Sequence, residues 1–214
     1  MSRIKTAERI FISLLFAGAL FIAAESRGAE QSHEASLSVK ADPDRNHDRK
    51  QTVEQKGNNT VTTVVDEEAE TCSLEIEVEN SSNQSDSYQL EWYFIAKRIS
   101  ANGDEVLVIF DSGKMPITLD AGASAVKKAV SKPFIFTVKD VDVVNSNGVR
   151  AGLGLSRQIR GGDEYAGYIV LVRAAGDILQ KDSNSSRFLN DEWLAQCDKF
   201  SKITPAAKKK KKKK

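Results

Sequence analysis

Residues 73–79 read SLEIEVE and residues 88–98 read YQLEWYFIAKR, and these two stretches decide the fold. In the first, apolar and acidic residues alternate without a break, which is the pattern of a β-strand with one buried face. In the second, every other residue from Tyr88 to Phe94 is apolar or aromatic, with Trp92 at the centre of that face. We therefore predict two half-buried strands, and we expect Trp92 to be the central core residue.

Further strand patterns, separated by turn signals, continue on both sides of these two strands. The stretch TVTTVV at residues 60–65 is β-branched, Asn102-Gly103 is a hairpin signal, and residues 165–174 form a strong strand pattern. Many short strands with regularly spaced turns are typical of an antiparallel β-sandwich, and a closed barrel is the alternative. We predict a mainly β domain of this sandwich type over residues 60–200.

Three segments are predicted to connect strands rather than to belong to them. Residues 66–70 are an acidic connector, residues 111–114 form a turn, and residues 149–163 form a long glycine-rich loop. Residues 30–59 are polar and are predicted to be a linker, in which residues 35–39 are the one candidate for an edge strand.

The N-terminus predicts export. Three basic residues precede an apolar run over residues 10–24, which is typical of a signal peptide and short for a membrane span. Small residues that suit cleavage follow at Ala24-Glu25-Ser26 and at Ala29. We therefore predict a signal peptide over residues 1–29 and a periplasmic, cell-envelope or extracellular location, with an uncleaved anchor as the alternative.

The C-terminal part predicts a short helix and, with the export signal, a disulfide. Asn190 and two acidic residues precede an apolar face that includes Trp193 and Cys197, which is the pattern of a capped helix. Cys72 and Cys197 are the two cysteines of the chain, and two thiols in an oxidising compartment usually pair. We predict that they form a structural disulfide, which would join the helix to the first core strand.

Three stretches also resemble those of a group of uncharacterised exported bacterial proteins with an immunoglobulin-like sandwich. They are residues 88–98, FDSGK at residues 110–114, and YAGYIVLVRAAGDILQKDS at residues 165–183, within a region of similarity over residues 72–185. The resemblance implies that the sandwich is immunoglobulin-like. It includes no functional motif and implies no activity.

The histidine positions argue against common enzyme chemistries. Ser-His-Asp and Cys-His sites need a histidine as proton carrier, but His33 and His47 both lie in the predicted linker. Two paired cysteines leave no ligand set for zinc. We therefore predict no catalytic residues, no cofactor and no metal. Carboxylate-only glycoside hydrolysis stays open, because acidic residues are plentiful.

Two surfaces are candidates for ligand binding. Arginine side chains suit anions, and the glycine-rich loop contains Arg150, Arg157 and Arg160, although a merely solvated loop is the alternative. Tyr93 points away from the Trp92 face and is a candidate glycan platform, unless the second sheet or the terminal helix covers it.

The C-terminus ends in seven lysines, in a segment over residues 201–214 that we predict to be a linker and a disordered tail. Seven charges of one sign bind polyanions, so an anionic envelope polymer or membrane surface is the expected partner. Specific nucleic-acid binding is not expected, and a protein or glycan partner stays open. The candidate residues of this tail are Lys208, Lys209, Lys210, Lys211, Lys212, Lys213 and Lys214.

The sequence therefore predicts an exported, non-enzymatic binding or structural β-sandwich of the cell envelope, held to anionic surfaces by its tail. A carbohydrate-binding or carbohydrate-active protein is the second hypothesis. A subunit that pairs through an exposed sheet edge is the third.

Overall fold

The computed structural model describes residues 33–145 and 157–203. The chain divides into two compact units, Met1–Gln31 and Ser32–Lys214, and all described residues belong to the second. The predicted signal peptide over residues 1–29 and the lysine tail lie outside the described residues, as does Arg150. None of the helices among the described residues is long and apolar enough to cross a membrane.

The described residues form eight strands, one 3-10 turn and one helix. In chain order these are β1 Ala35–Lys56, β2 Asn59–Asn80, β3 Asp86–Ile99, β4 Glu105–Leu119, β5 Ser124–Val130, β6 Phe134–Asn145, β7 Arg157–Ala174, β8 Asp177–Asp182, the 3-10 turn Ser186–Leu189 and α1 Asp191–Ile203.

The strands form one antiparallel sheet in the order β1-β2-β6-β7-β3-β4, to which β5 adds beside β2 and β8 adds beside β7. Strand β2 changes one of its partners along its length: its first half pairs with β6 and its second half pairs with β5. The predicted mainly β, antiparallel architecture with a short C-terminal helix is therefore confirmed.

The stretch SLEIEVE forms the second half of β2 and has the predicted alternation. Leu74, Ile76 and Val78 are fully buried, whereas the three glutamates between and after them are exposed. The buried side chains pack with those of β3 and β7, such as Leu90 and Val170, in a cluster that we call the inner core. The buried side chains of β2 therefore share one core with those of β3 and β7.

The other face of β3 and β7 is also buried, because α1 and the 3-10 turn cover it. Ile95 and Ile169 pack there against Phe188 and Trp193, in a cluster that we call the helix core. The ring centroids of Phe188 and Trp193 lie 5.2 Å apart in an edge-to-face arrangement. The two central strands therefore have core on both faces, which explains why their sequences contain apolar residues at consecutive positions.

Trp92 is not the central core residue that we predicted. It is only half-buried and lies over Gly113 of β4, where an added Cβ would overlap the indole ring. Phe94, two residues further along β3, is fully buried in the inner core instead.

The predicted turn at residues 111–114 is wrong, because β4 continues through it. The register with β3 shifts between Phe94, which pairs with Asp111, and Ile95, which pairs with Ile109. Phe110 is the extra residue of this β-bulge, and its ring stacks on Phe134 with 4.4 Å between centroids. A bulge bends a strand and redirects one side chain without ending the strand, and here it turns Phe110 towards the inner core.

The predicted helix cap is confirmed. The backbone amide of Trp193 donates to Oδ1 of Asn190 at 3.0 Å, directly before α1 begins at Asp191. Asp191 and Glu192 occupy the first turn, where negative charge favours the helix dipole.

The predicted linker and acidic connector differ most from the structure. Residues 41–55 belong to β1, and residues 66–70 belong to β2, so the two segments form one long hairpin around the turn Gly57-Asn58. Backbone pairing with β2 orders this polar strand, because its side chains over residues 42–58 are all exposed.

The far end of the sheet extends beyond both cores, and we call it the sheet arm. None of the described side chains in the arm is buried, and its strands pair in register from β1 to β7. The sheet arm consists of residues 49–56, 59–66, 138–145 and 157–160.

Candidate functional site

The two cysteines lie in different cores and are not bonded, so the predicted disulfide is contradicted. Cys72 belongs to the inner core and Cys197 to the helix core, on opposite faces of the β3–β7 sheet. A disulfide needs Cα atoms within about 7 Å of each other, and these strands stand between the two thiols.

Both thiols are poor nucleophiles where they lie. Burial raises the pKa of Cys72, and the adjacent Tyr165 hydroxyl opposes this only in part. Burial, together with the charges of Asp198 and Glu91, raises the pKa of Cys197 to about 12. A thiol reacts as its thiolate, so both cysteines are expected to act as buried apolar side chains.

Tyr93 does not provide an exposed glycan platform, because the terminal helix covers it. The ring lies in the helix core and its hydroxyl donates to Oε2 of Glu91 at 2.9 Å. Burial and the negative charge of Glu91 raise the Tyr93 pKa well above its ordinary value, so the hydroxyl stays protonated. Of the two alternatives that the sequence left open, an exposed platform and a covered side chain, Tyr93 is therefore the covered side chain.

A buried ion pair connects the sheet to helix α1. Nε of Arg173 on β7 lies 3.2 Å from Oε2 of Glu91 on β3, and both side chains are largely removed from solvent. The same guanidinium donates to Oδ1 of Asp198 on α1 at 2.5 Å and to the Gly176 carbonyl at 3.1 Å. The buried pair thus joins β3 to β7 and contacts the helix through Asp198, and Tyr93 completes the hydrogen bonding of Glu91.

Sequence reasoning missed this ion pair, although a signal existed. Glu91 and Arg173 each interrupt an apolar strand pattern. Opposite charges in two core strands are expected to pair, because unpaired charges are almost never buried.

The histidines both lie in β-structure or directly beside it, which corrects the expectation that the fold contains none. Nδ1 of His33 lies 2.6 Å from Oδ2 of the buried Asp86, and His47 is part of β1. Burial opposes ionisation of Asp86, but contact with His33 and the Ser87 amide outweighs it and lowers the Asp86 pKa. The absence of histidine can therefore no longer be used to exclude proton-transfer chemistry.

The His33–Asp86 pair is oriented as in hydrolases that use histidine as a base. Such a base needs a nucleophile on its other nitrogen, and no serine hydroxyl within residues 33–145 and 157–203 hydrogen-bonds to His33. Asp86 also begins β3 beside Tyr88, whose hydroxyl donates to Oδ1 of the buried Asn80 at 2.8 Å. These contacts connect the segment before β1 to the start of β3 and to the end of β2.

A row of ion pairs runs across β1 and β2 near the base of the sheet arm. Nε of Arg45 lies 3.2 Å from Oε1 of the buried Glu70, and Nε of Arg49 lies 3.5 Å from Oδ1 of Asp66. The carboxylate of Glu70 raises the Arg45 pKa by hydrogen bonding and by its charge. Nη1 of Arg45 also lies 3.6 Å from Oε1 of Glu68, so both arginines of the row are already paired with acids of the chain.

The predicted anion-binding loop is a strand from Arg157 onwards. Arg157 begins β7, and Arg160 is exposed opposite Val138 of β6. Gly162 lies in the same strand with a φ of 129°, a conformation that favours glycine, and an added Cβ would meet the carbonyl oxygen of Ile135 at 2.1 Å. Gly162 thus permits close packing of β7 on β6.

An open groove of about 400 Å³ lies at the edge where β3, β4 and β7 meet the 3-10 turn. Lys97 contacts Glu164 at 2.6 Å and Glu105 at 3.6 Å, so its charge is matched by the groove itself. No cluster of three or more potential metal ligands occurs among the described residues.

Comparisons with known proteins assign no family. No protein-family model matches the chain, and no curated protein matches it. Among solved structures, the structural-genomics target SoR45 shows 14% identity and a TM-score of 0.25, and the match covers 62% of this chain and 84% of the SoR45 chain. The putative ApaA protein of Bordetella pertussis shows 11% identity and a TM-score of 0.21, and the match covers 62% of this chain and 94% of that protein.

A third similar structure is β-glucuronidase 2 of Bacteroides uniformis, with 12% identity and a TM-score of 0.20. The match covers 64% of this chain but 14% of the enzyme. At TM-scores this low, none of these likenesses supports an argument about fold or function.

Proposed function

We propose that the chain is an exported, non-enzymatic binding or structural module of the cell envelope. The observation that carries the proposal is the sheet arm, which projects four paired strand ends beyond both cores without a buried side chain among those described. Ordered backbone that builds no core adds little hydrophobic stabilisation. Its exposed strands and free edge suit contact with another molecule.

The buried titratable groups support a structural role for this part of the chain. Tyr93 and Cys197 lie beneath α1, and Glu91 is neutralised by Arg173 in the same cluster. These groups lie in the contact between the sheet and the helix, where Tyr93, Glu91 and Cys197 are buried. The burial of Tyr93 also removes the observation that favoured carbohydrate binding, so we do not extend the proposal to it.

The fold type that we propose is an immunoglobulin-like β-sandwich. One layer would consist of β1, β2 and β5, and the other of β3, β4, β7 and β8, with the inner core between them. The packing of Leu74 and Ile76 against the β3–β7 strands supports this assignment. An experimental structure in which these layers did not pack face to face would contradict it.

The lysine tail is the proposed tether to an anionic surface. Each lysine near an anionic membrane contributes about 1 kcal/mol, so seven of them give strong, salt-sensitive attraction. The test is co-sedimentation of the exported protein, and of a variant without residues 208–214, with phosphatidylglycerol vesicles and with phosphatidylcholine vesicles.

We expect the full protein to sediment with the anionic vesicles at low salt and to be released at high salt. The variant without the tail is expected to stay in solution, and neither protein is expected to bind the zwitterionic vesicles. Equal retention of the two proteins on anionic vesicles would show that the tail is not the tether.

A further inference from the structure

Strand β1 leaves one backbone edge of the sheet arm open. It ends the strand order and, among the described residues, pairs with β2 alone. Residues 42–58 are exposed on both faces. An open strand edge carries unpaired amide and carbonyl groups, which can pair with another strand.

The hairpin turn determines which residues of β1 face outward. The turn has two residues, Gly57-Asn58, and Lys56 pairs with Asn59 across it, so this closing pair exchanges hydrogen bonds. Even-numbered residues therefore direct their backbone groups to β2, and odd-numbered residues direct theirs outward. Pro43, which has no amide hydrogen, falls on an outward position, where it removes no hydrogen bond from the pairing with β2.

The charges along this edge are complementary to a second copy of themselves. Residues 48–56 read DRKQTVEQK. When two such strands run antiparallel about Thr52, Asp48 faces Lys56 of the other copy and Lys50 faces Glu54. Each pairing occurs twice because of the two-fold axis, and opposite charges across a strand pair are stabilising.

Neighbouring registers are unfavourable. A shift of the axis to Gln51 would place Asp48 opposite Glu54, and a shift to Val53 would place two lysines opposite each other. Like charges directly opposite across a strand pair are destabilising. The axis at Thr52 avoids both contacts, so the charges favour it over the two neighbouring axes.

We propose that two copies of this chain associate by antiparallel pairing of their β1 edges over residues 48–56, with the two-fold axis at Thr52. Lysines on a strand edge ordinarily oppose such pairing, but here each lysine meets an acid of the partner. Nζ of Lys50 already lies 2.8 Å from Asp48 within one strand, and Nζ of Lys56 lies 3.0 Å from Glu54. The dimer would join these short ion pairs into an alternating network.

The decisive test uses two half-swap variants, each of which carries charges of one sign at positions 48, 50, 54 and 56. Lys50→Glu with Lys56→Glu leaves four acidic side chains there, and Asp48→Lys with Glu54→Lys leaves four basic ones. A self-pair of either variant then places like charges opposite each other with the axis at Thr52, and it does so with the axis at Gln51 or Val53 as well. We expect each variant to be monomeric, whereas an equimolar mixture of the two restores every opposite-charge contact and forms a dimer.

Size-exclusion chromatography with light scattering, from about 10 µM to about 1 mM protein, is the measurement, because pairing over one short strand is a small interface of weak affinity. We expect a concentration-dependent dimer for the unmodified protein. A protein that stayed monomeric throughout, or half-swap variants that dimerised like the unmodified protein, would overturn the proposal, as would a mixture that stayed monomeric.

A second measurement depends on geometry instead of charge. Residues facing each other on the axis have Cα atoms about 4.5 Å apart in a pair without mutual hydrogen bonds, which is close enough for a disulfide. Thr52→Cys is therefore expected to form a disulfide-linked dimer on mild oxidation, and Gln55→Cys, which faces another position, is not. Equal cross-linking of the two variants would count against the register.

Neither experiment involves the lysine tail. Failure of dimerisation would leave the proposed tether intact, and failure of vesicle binding would leave the dimer intact.

Discussion

Replacement of Arg173 by methionine removes the cation that neutralises Glu91 beneath helix α1. The side chains of Arg173 and Glu91 are 14% and 9% exposed, so the remaining carboxylate would be charged, buried and without its partner. Removing one member of a buried pair costs about 3–5 kcal/mol in unfolding free energy. The contact of Arg173 with Asp198 adds less than about 1 kcal/mol, because Asp198 is half-exposed.

We therefore expect Arg173→Met to lower the unfolding free energy by about 4 kcal/mol, measured by urea denaturation with a shared slope. Arg98→Met is the matched control. Arg98 contacts Asp163 at 2.8 Å and 3.2 Å, but it is 53% exposed. An exposed pair contributes under about 1 kcal/mol, so the control is expected to cost little.

A double variant separates the orphaned charge from lost packing. Glu91→Gln combined with Arg173→Met leaves a neutral amide whose oxygen can still accept from Tyr93. We expect the double variant to be more stable than Arg173→Met alone. If Arg173→Met cost no more than the exposed control, or if the double variant were the least stable, the buried ion pair would not have the role assigned to it.

The remaining predictions concern other contacts of the fold. Because the pKa of Asp86 is lowered in the folded protein, its stabilising contact with His33 is present above the ordinary aspartate pKa of 3.8 and is lost as pH falls below it. The difference in unfolding free energy between the unmodified protein and Asp86→Asn, measured by urea titration, should therefore shrink below about pH 4. A difference that did not depend on pH would contradict this. Cys72 and Cys197 should resist a thiol reagent in the folded protein and both react after unfolding without a reductant, whereas no reaction after unfolding would indicate the disulfide. Gly162→Ala should lower the melting temperature because its Cβ would overlap a β6 carbonyl, and an unchanged melting temperature would contradict that packing.

Local sequence patterns predicted the elements whose stability is local. The alternation around Leu74 and Ile76 and the cap at Asn190 each depend on neighbours in sequence, and both are confirmed. Residues 35–39 were the candidate edge strand and belong to β1, because side chains such as Leu37 and Val39 pack against the inner core. The rest of β1 was predicted as linker, because it lacks an apolar face. Its order depends on backbone pairing with β2 over the whole hairpin, and Gly57-Asn58 was the one local signal of that turn.

The candidate site was less predictable, because it depends on which sheet face each element covers. Whether Cys72 and Cys197 meet is decided by the side of the β3–β7 strands on which α1 packs, and composition does not contain that information. Tyr93 is covered for the same reason. The contact between His33 and Asp86 joins residues that are distant in sequence, and no local motif predicts it.

Amide hydrogen exchange along β1 tests most directly the claim that this polar strand is an ordered edge for association. In dilute protein, we expect the amides of Lys50 and Thr52 to be protected by pairing with β2, and those of Gln51 and Val53 to exchange rapidly. At high protein concentration, Gln51 and Val53 should become protected as well. Rapid exchange at all four positions would indicate the linker that composition suggests, and rapid exchange of Gln51 and Val53 at every concentration would contradict the association.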